Sequence, residues 1–390
     1  KIRTPNKYEL VYARGAPPAT AHYRAHRVFP APGSPGDVPG AKAAPPTMRA
    51  AFVLAAAASD PSDLWQSAVP VAVPGSHEEC RWVEILHYVS TGGVPYRQCV
   101  RQGAALLSQI LVREGRWPDC DVLARLWNET SQDGVFVDAG ANIGSCSLMM
   151  LSLGAPTIAF EPLPVNNFYF TTSVLANPGM RERLKLYQHG LGNASARVDM
   201  YSDPQNRGNS VVGQAIGDTP AQEQVMRTGN FTGPARLKYE HEVRGSKVTR
   251  FENISIKTLD DALWPVGAPR PRPIRLMKVD VQGFEPQVFS GATRLIAAGL
   301  VRTIKFEVAR KHLQRQQGSK TAVLEFLRQV HGLGFDLTFE DGRLISERGA
   351  LHRALARFGG SAEVVGRYNS STTRPPLPAE LGRPARGHAS

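Results

Sequence analysis

Residues 136–154 read FVDAGANIGSCSLMMLSLG, and they carry the strongest signal of secondary structure in the chain. A short apolar run ends at Asp138, Gly140 and Gly144 bracket a turn, and apolar residues at helical spacing follow. Glycines lack Cβ atoms and so let a ligand approach the backbone, just where the amino end of a helix attracts polar or anionic groups. The stretch therefore predicts a strand, a ligand-binding turn and a helix.

The same alternation of strand and helix continues along the chain. Short apolar strands are predicted at VFVDAG, TIAFEP, RLKLYQHG, IRLMKVDV and VRTIKFEV. Because strands that alternate with helices form βαβ units, we expect a mostly parallel sheet flanked by helices, with its ligand at the carboxyl ends of the strands. Residues 194–256 break the rhythm with polar, alternating segments, which predict an inserted antiparallel lid or, equally, a surface loop.

The residues around the glycine turn narrow the class of ligand. A dinucleotide fingerprint would need glycine at positions 142 and 145, where this chain has Asn142 and Ser145. Glu161 ends the second strand, where an acid can accept both hydroxyls of a ribose. The combination favours a nucleoside without a pyrophosphate. S-adenosylmethionine fits, with its amino-acid tail and sulfonium beside Asp138 and the Gly140 turn.

Five motifs in order carry a resemblance to a known family. FVDAGANIG, AFEPLPVNN, TLDDAL, MKVDVQGFEPQVFSGA and IKFEV, over about residues 135–345, resemble the FkbM-type family of S-adenosylmethionine-dependent methyltransferases. The resemblance implies a class I (Rossmann-like) fold, with a seven-stranded sheet that has one antiparallel strand. It also implies O-methylation of a hydroxyl on a small-molecule or glycan acceptor. The residues that it places at the cofactor are Asp138, Gly140, Asn142, Gly144 and Glu161.

The fourth-strand motif supplies the candidate catalytic residues. The family pattern K-x-D-x-E-G-x-E reads here as Lys278, Asp280, Gln282, Gly283 and Glu285, so one carboxylate is replaced by an amide. Asp280 ends the strand and is the candidate base for the hydroxyl proton. Lys278, two residues back, points to the same face and could set the ionisation of Asp280. Glu285 is either catalytic or the ion-pair partner of Lys278.

Composition excludes several other classes. The net charge of +12 would permit a polyanionic partner, but the basic residues are scattered and no zinc-finger or RNP pattern occurs, so no nucleic acid is expected. No apolar run approaches the roughly 18 residues of a membrane span. The four cysteines show no metal-binding spacing, and no metal is expected. Cys146 falls on an apolar helix and is predicted to be a buried thiol, which leaves three others.

The segments outside the βα rhythm give the domain limits. We expect a disordered, basic Pro/Ala-rich or targeting segment at residues 1–78, a helical preface at 79–133, the methyltransferase domain at 134–370 and a disordered tail at 371–390. Residues 48–59, MRAAFVLAAAAS, resemble a secretory signal if the chain starts at Met48. Five N-x-[ST] triplets point the same way: Asn128, Asn193, Asn230, Asn253 and Asn369.

Several questions stay open at the level of sequence. A NAD(P)-binding Rossmann oxidoreductase and a non-catalytic binding module are the alternatives to a methyltransferase. The compartment is cytoplasmic, or secretory or organellar if the first segment is a targeting sequence. The oligomeric state and the identity of the acceptor are not encoded in any pattern that we recognise.

Overall fold

The computed structural model describes most of the chain from residue 63 onward. The described residues are 63–73, 75, 77–103, 105–129, 133–203, 206–212, 249–345, 349–357, 360–371 and 377. Five predictions lie wholly or partly outside them: the segment at residues 1–78, the signal-like stretch at residues 48–59 within it, the middle of the insert, Asn230 and most of the C-terminal tail.

A seven-stranded sheet forms the centre of the protein. Its strands are β3 (Val135–Ala139), β4 (Thr157–Phe160), β5 (Leu184–Tyr187), β10 (Ile274–Val279), β11 (Val301–Ala309), β12 (Phe335–Phe339) and β13 (Ser361–Tyr368). The spatial order is β12-β13-β11-β10-β3-β4-β5, with β13 antiparallel to both of its neighbours. The prediction of a mostly parallel seven-stranded sheet with one antiparallel strand is confirmed. Its strands read as continuous apolar runs because helices cover both faces.

Ten α-helices connect or flank the strands of the described chain. They are α1 (Leu106–Glu114), α2 (Pro118–Glu129), α3 (Ser145–Ser152), α4 (Pro164–Leu175), α5 (Leu259–Leu263), α6 (Glu285–Ser290), α7 (Thr293–Ala297), α8 (Arg310–Gln317), α9 (Ala322–Gly332) and α10 (Ala350–Arg357). Every residue of α3 is buried, which explains why the helix is apolar all round rather than along one stripe. No helix in the described part of the chain is both long and apolar enough to cross a membrane.

A second, four-stranded sheet is built largely from the insert. Its strands are β6 (Gly190–Leu191), β7 (Ala196–Asp203), β8 (Asn206–Val212) and β9 (Thr249–Lys257), in the order β6-β9-β7-β8. β7 is antiparallel to both β8 and β9, whereas the short β6 runs parallel to β9. The residues between β8 and β9 are outside the described chain, so the role of this sheet as a lid stays a prediction.

The segment before β3 differs from the predicted helical preface. Residues 79–89, expected to be helical, form β1 (Arg81–Ile85) and a short 3-10 helix, and β1 pairs antiparallel with β2 (Tyr96–Val100). A run this short fits either periodicity, and the pairing of the two strands decides it. Packing also begins before residue 79: the Trp65 side chain is buried, and its backbone N–H donates to Leu186 of β5.

The cysteines differ from the prediction as well. Cys146 is not a free thiol but forms a disulfide with Cys120, with the two Cα atoms 5.1 Å apart. Cys80 pairs with Cys99 in the same way, at 5.0 Å. The first bond joins α2 to α3, and the second joins the start of β1 to β2. Because none of the four residues has a partner nearby in sequence, spacing alone could not reveal these pairings.

Candidate functional site

The sheet brings two strand ends together at its centre. β3 and β10 are neighbours, and the chain continues from β3 to β4 on one side and from β10 to β11 on the other, which makes the gap between β3 and β10 a topological switch point. Asp138 of β3 lies opposite Lys278 of β10 in the parallel register. The two loops that follow these strands are therefore neighbours, as the sequence predicts for a site at the carboxyl edge.

The glycine turn after β3 is tightly packed. Gly140 and Gly144 have φ of +84° and +81°, which side-chain-bearing residues rarely adopt. A Cβ on Gly140 would collide with the carbonyl oxygen of Asp280, and one on Gly144 would collide with the ring of Phe170. Neighbouring protein atoms therefore require these glycines directly. The sequence-based reason, approach of a ligand to the backbone, explains less of the turn than close packing does.

Glu161 fastens this turn to the end of β4. The backbone N–H of Asn142, which has φ of +54°, donates to Glu161 Oε2 at 2.8 Å. Leu163 N and Asn166 Nδ2 donate to Oε1 at 2.9 and 3.2 Å. Burial raises the pKa of Glu161 to about 7, although these donors favour the charged form. Since each carboxylate oxygen has two acceptor positions, Oε2 keeps one for a further donor.

The buried Lys278 contacts the ends of both strands, β3 and β10. Its Nζ lies 3.2 Å from Asp138 Oδ1, 3.1 Å from the carbonyl oxygen of Gly140 and 3.6 Å from Asp280 Oδ2. Burial alone would lower the pKa of Lys278, but the two carboxylates outweigh it and the pKa lies above its ordinary value. Asp138 is completely buried, and its Oδ2 accepts a hydrogen bond from Ser147 at 2.7 Å. Asp138 thus stabilises the glycine turn from inside the protein, through Lys278 and Ser147.

Asp280 carries the most exposed of the predicted site carboxylates. About one third of its side chain (33%) is accessible, whereas Asp138, Glu161 and Glu285 are buried. Gln282 Nε2 donates to Asp280 Oδ1 at 2.9 Å, so that the carboxylate is held on one oxygen by an amide and faces Lys278 with the other. The backbone of Gln282 has φ of +56°, a conformation that is unfavourable for residues other than glycine and that recurs in functional loops.

Glu285 lies behind this loop and shapes it. Its Oε1 accepts hydrogen bonds from the backbone N–H groups of Val281 and Gly283, both at 3.1 Å. Burial raises the pKa of Glu285 to about 8, so the neutral acid predominates at pH 7. Among the described contacts Glu285 forms no ion pair with Lys278, which instead faces Asp138 and Asp280. Of the two alternatives for Glu285, the ion pair with Lys278 is therefore wrong, and a role of Glu285 at the site stays a prediction.

His312 is a neighbour of the loop that the sequence did not single out. A Cβ on Gly283 would approach the Cβ of His312 to 2.8 Å, so the start of α8 packs directly on the loop. The side chain is half-buried, and its Nδ1 has no hydrogen-bond partner within the described chain. Burial lowers the pKa of His312, against the opposing charge of Asp280. The available signal was its position, in the first helical turn after a strand of the sheet.

His189, which follows β5, is also buried at this edge. Its ring centroid lies 5.4 Å from that of Phe160 and 5.5 Å from that of Tyr187. Nδ1 is 2.9 Å from the carbonyl oxygen of Gly190, which can only accept, so the proton is assigned to Nδ1. Nε2 has no partner among the described residues and is free to accept. Burial lowers the pKa of this histidine as well.

Residues 138–337 match the methyltransferase FkbM domain, which is half of the chain. The chain belongs to the FkbM methyltransferase family. The match runs from Asp138 in β3 to Leu337 in β12, and so includes both loops of the site. No curated protein matches this sequence.

Two solved structures are similar to this FkbM chain at low identity. One is the methyltransferase FkbM from Methylobacillus flagellatus KT, with 12% identity and a TM-score of 0.32 over 60% of this chain. This chain covers only 43% of that protein. The other is a precorrin-6y C5,15-methyltransferase from Geobacter metallireducens GS-15, with 9% identity, a TM-score of 0.28 and coverage of 62% and 79%.

The FkbM domain thus groups the sequence-predicted residues into three sets. Asp138, Gly140, Lys278 and Asp280 form one cluster at the switch point, and Asn142 with Glu161 forms a second on the other side of the turn. Gly144 and Glu285 lie behind the surface, where they fix the two loops. No group of three or more potential metal ligands from His, Cys, Asp and Glu occurs in the part of the chain that the structure describes.

Proposed function

We propose that this FkbM protein transfers a methyl group from S-adenosylmethionine to a hydroxyl on a small-molecule or glycan acceptor. The observation that carries the proposal is the setting of Asp280, an accessible carboxylate at the switch point held by Gln282 and facing Lys278. It belongs to the loop that packs on the Gly140 turn. A carboxylate in this position is accessible to an acceptor that binds over the loops after β3 and β10.

The residues of the turn fit a nucleoside cofactor. Glu161 Oε2 retains an acceptor position that a ribose hydroxyl can fill, beside the turn held by Asn142. His189, whose Nε2 has no partner within the described chain, packs beside the rings of Phe160 and Tyr187, and because all three side chains are buried we assign them to supporting the ends of β4 and β5 rather than to direct contact with the cofactor. Asp138 is completely buried, so we assign it to supporting Lys278 and the turn rather than to direct contact. S-adenosylmethionine would supply an electrophilic methyl group on its sulfonium.

The chain's own task is to place the acceptor and take its proton. Asp280 would accept the proton of the acceptor hydroxyl as the methyl carbon exchanges its bond to the sulfonium sulfur for one to the hydroxyl oxygen, with S-adenosylhomocysteine as the leaving group. General base catalysis of this kind contributes roughly 100-fold to 10,000-fold. Lys278 and Gln282 keep the carboxylate in one orientation, which favours a near-attack arrangement. Glu285 maintains the loop through its two backbone hydrogen bonds. Its proposed role is positioning.

Replacing Asp280 tests the assignment. Asp280→Asn keeps the size of the side chain but removes its basicity, so kcat should fall by about 100-fold or more while cofactor binding is retained. Transfer of radiolabelled methyl from S-adenosylmethionine to a panel of alcohols, sugars and glycans gives the readout. Asp261→Asn, an exposed aspartate in α5, is the matched control and should leave kcat unchanged. Unaltered turnover in Asp280→Asn would place the base elsewhere.

A further inference from the structure

The five N-x-[ST] triplets of the sequence differ sharply in their structural settings. Asn193, Ala194 and Ser195 lie together in a bend between β6 and β7, and all three residues are exposed. No hydrogen bond engages the Asn193 side chain within the described chain. A sequon in an exposed bend is the setting in which the asparagine amide and the hydroxyl two residues later can both reach a modifying enzyme.

The other described sequons are engaged in the fold. Asn253 lies within β9, where its amide contacts Arg197 at 2.6 Å and Asp199 at 3.0 Å. Asn369 is half-buried, and its Nδ2 donates to Asp336 at 2.8 Å. Asn128 lies in the last turn of α2 and donates to the carbonyl oxygen of Thr91 at 3.2 Å. Strand, helix and side-chain contacts thus compete with modification at these three positions.

The two disulfides provide an independent observation about the compartment. All four cysteines of the chain are paired, in two separate places, and Cys99, Cys120 and Cys146 are buried. Disulfides of this structural kind form and persist in oxidising compartments and are rare in reducing ones. In eukaryotic cells the oxidising secretory pathway is also where N-x-[ST] asparagines receive their oligosaccharide.

We infer that this chain matures in the oxidising secretory pathway and carries an N-linked glycan on Asn193. The inference is independent of the methyltransferase proposal, because it rests on the bend after β6 and on the disulfides rather than on the cofactor turn. The glycan would extend from the rim of the small sheet into solvent. Asn253 and Asn369 would remain unmodified.

Expression of the 390-residue chain behind a cleavable signal, with secretion from cultured insect cells, tests the acceptor site. Peptide mapping should find the Asn193 peptide glycosylated, and peptide-N-glycosidase should increase the mobility of the protein. Asn193→Gln and Ser195→Ala should each abolish the shift due to this site, and the second variant keeps the asparagine itself. Asn253→Gln and Asn369→Gln are the matched controls and should change nothing. An unmodified Asn193 peptide in secreted protein would overturn the inference.

The native protein tests the compartment. Protein isolated from its source cells should show the same glycosidase shift, and alkylation before reduction should label none of its four cysteines. Free thiols together with an absence of glycan would overturn the inference even if the recombinant protein is modified.

Discussion

Cofactor binding should weaken about tenfold as the pH falls from 8 to 6, because Glu161 titrates within that interval. Burial raises the pKa of this side chain to about 7. Ribose hydroxyls donate hydrogen bonds, and donors bind an ionised carboxylate more strongly than a neutral acid. With the ionised form as the binding form, the competent fraction is about 0.9 at pH 8 and about 0.1 at pH 6, and the apparent affinity scales with that fraction.

Titration calorimetry at pH 6, 7 and 8 provides the assay, with S-adenosylhomocysteine as the ligand. Wild-type protein is compared with Glu161→Gln, which retains an accepting oxygen but does not titrate. Protonation of S-adenosylhomocysteine itself affects its binding to both proteins equally, so the difference in pH dependence between wild type and Glu161→Gln reports on Glu161. The variant should bind more weakly at pH 8 and show a flatter dependence on pH. A thermal melt of each protein confirms folding, since the new amide will face one of the N–H donors around Glu161.

Two outcomes would refute this reasoning about Glu161. An equal pH dependence in wild-type and Glu161→Gln would assign the titration to another group. A wild-type affinity that is constant from pH 6 to 8 would show that the carboxylate does not bind the ribose. The exposed Glu84→Gln serves as the charge-matched control and should reproduce the wild-type profile.

Three further changes test the loops of the site. Gln282→Glu replaces a hydrogen-bond donor to Asp280 with a second carboxylate, and kcat should fall by roughly tenfold, with the acidic limb of its pH profile moved to higher pH. Gly144→Ala should lower the free energy of unfolding in urea by about 1–3 kcal/mol more than Gly154→Ala, because both have positive φ but only the first meets a ring. Glu285 has a pKa of about 8 in the folded protein against 4.5 ordinarily, so the folded state binds more protons and stability falls as pH rises between these values. Relative to Glu285→Gln, wild-type stability should fall by up to about 1.4 kcal/mol per pH unit there, as urea titrations will show.

The mostly parallel βα sheet and the class of fold could be predicted because both carry local signals. Apolar runs that end in Asp138, Glu161 and Asp280 recur between helical patterns, and parallel connection leaves few topologies. The location of the site follows from the same reasoning, since the carboxyl ends of these strands must share one edge. The glycine turn was identified correctly, but the sequence-based reason for its glycines was the approach of a ligand to the backbone. In the structure, Gly144 is needed because a side chain there would collide with the ring of Phe170.

The features that the sequence did not predict depend on contacts between distant segments. β1 was expected to be helical, but five residues carry too little periodicity to distinguish a helix from a strand. Pairing with β2 makes the segment a strand. The Cys120–Cys146 bond needs α2 to lie on α3. The contact of His312 with the Asp280 loop depends on the packing of α8 against Gly283. In the sequence, the glycine at position 283 is the one local sign of this close contact. Packing decides such details, and no periodic pattern encodes it.

Calorimetric titration of the purified chain with S-adenosylmethionine shows directly whether the chain binds this cofactor. NAD⁺ is titrated in parallel, because a Rossmann-like sheet alone is compatible with either cofactor. We expect S-adenosylmethionine to bind at one site per chain, binding to be severely weakened in Glu161→Ala, and NAD⁺ to show no heat of binding. Binding of NAD⁺ without S-adenosylmethionine, or equal affinity of wild-type and Glu161→Ala for S-adenosylmethionine, would contradict the account.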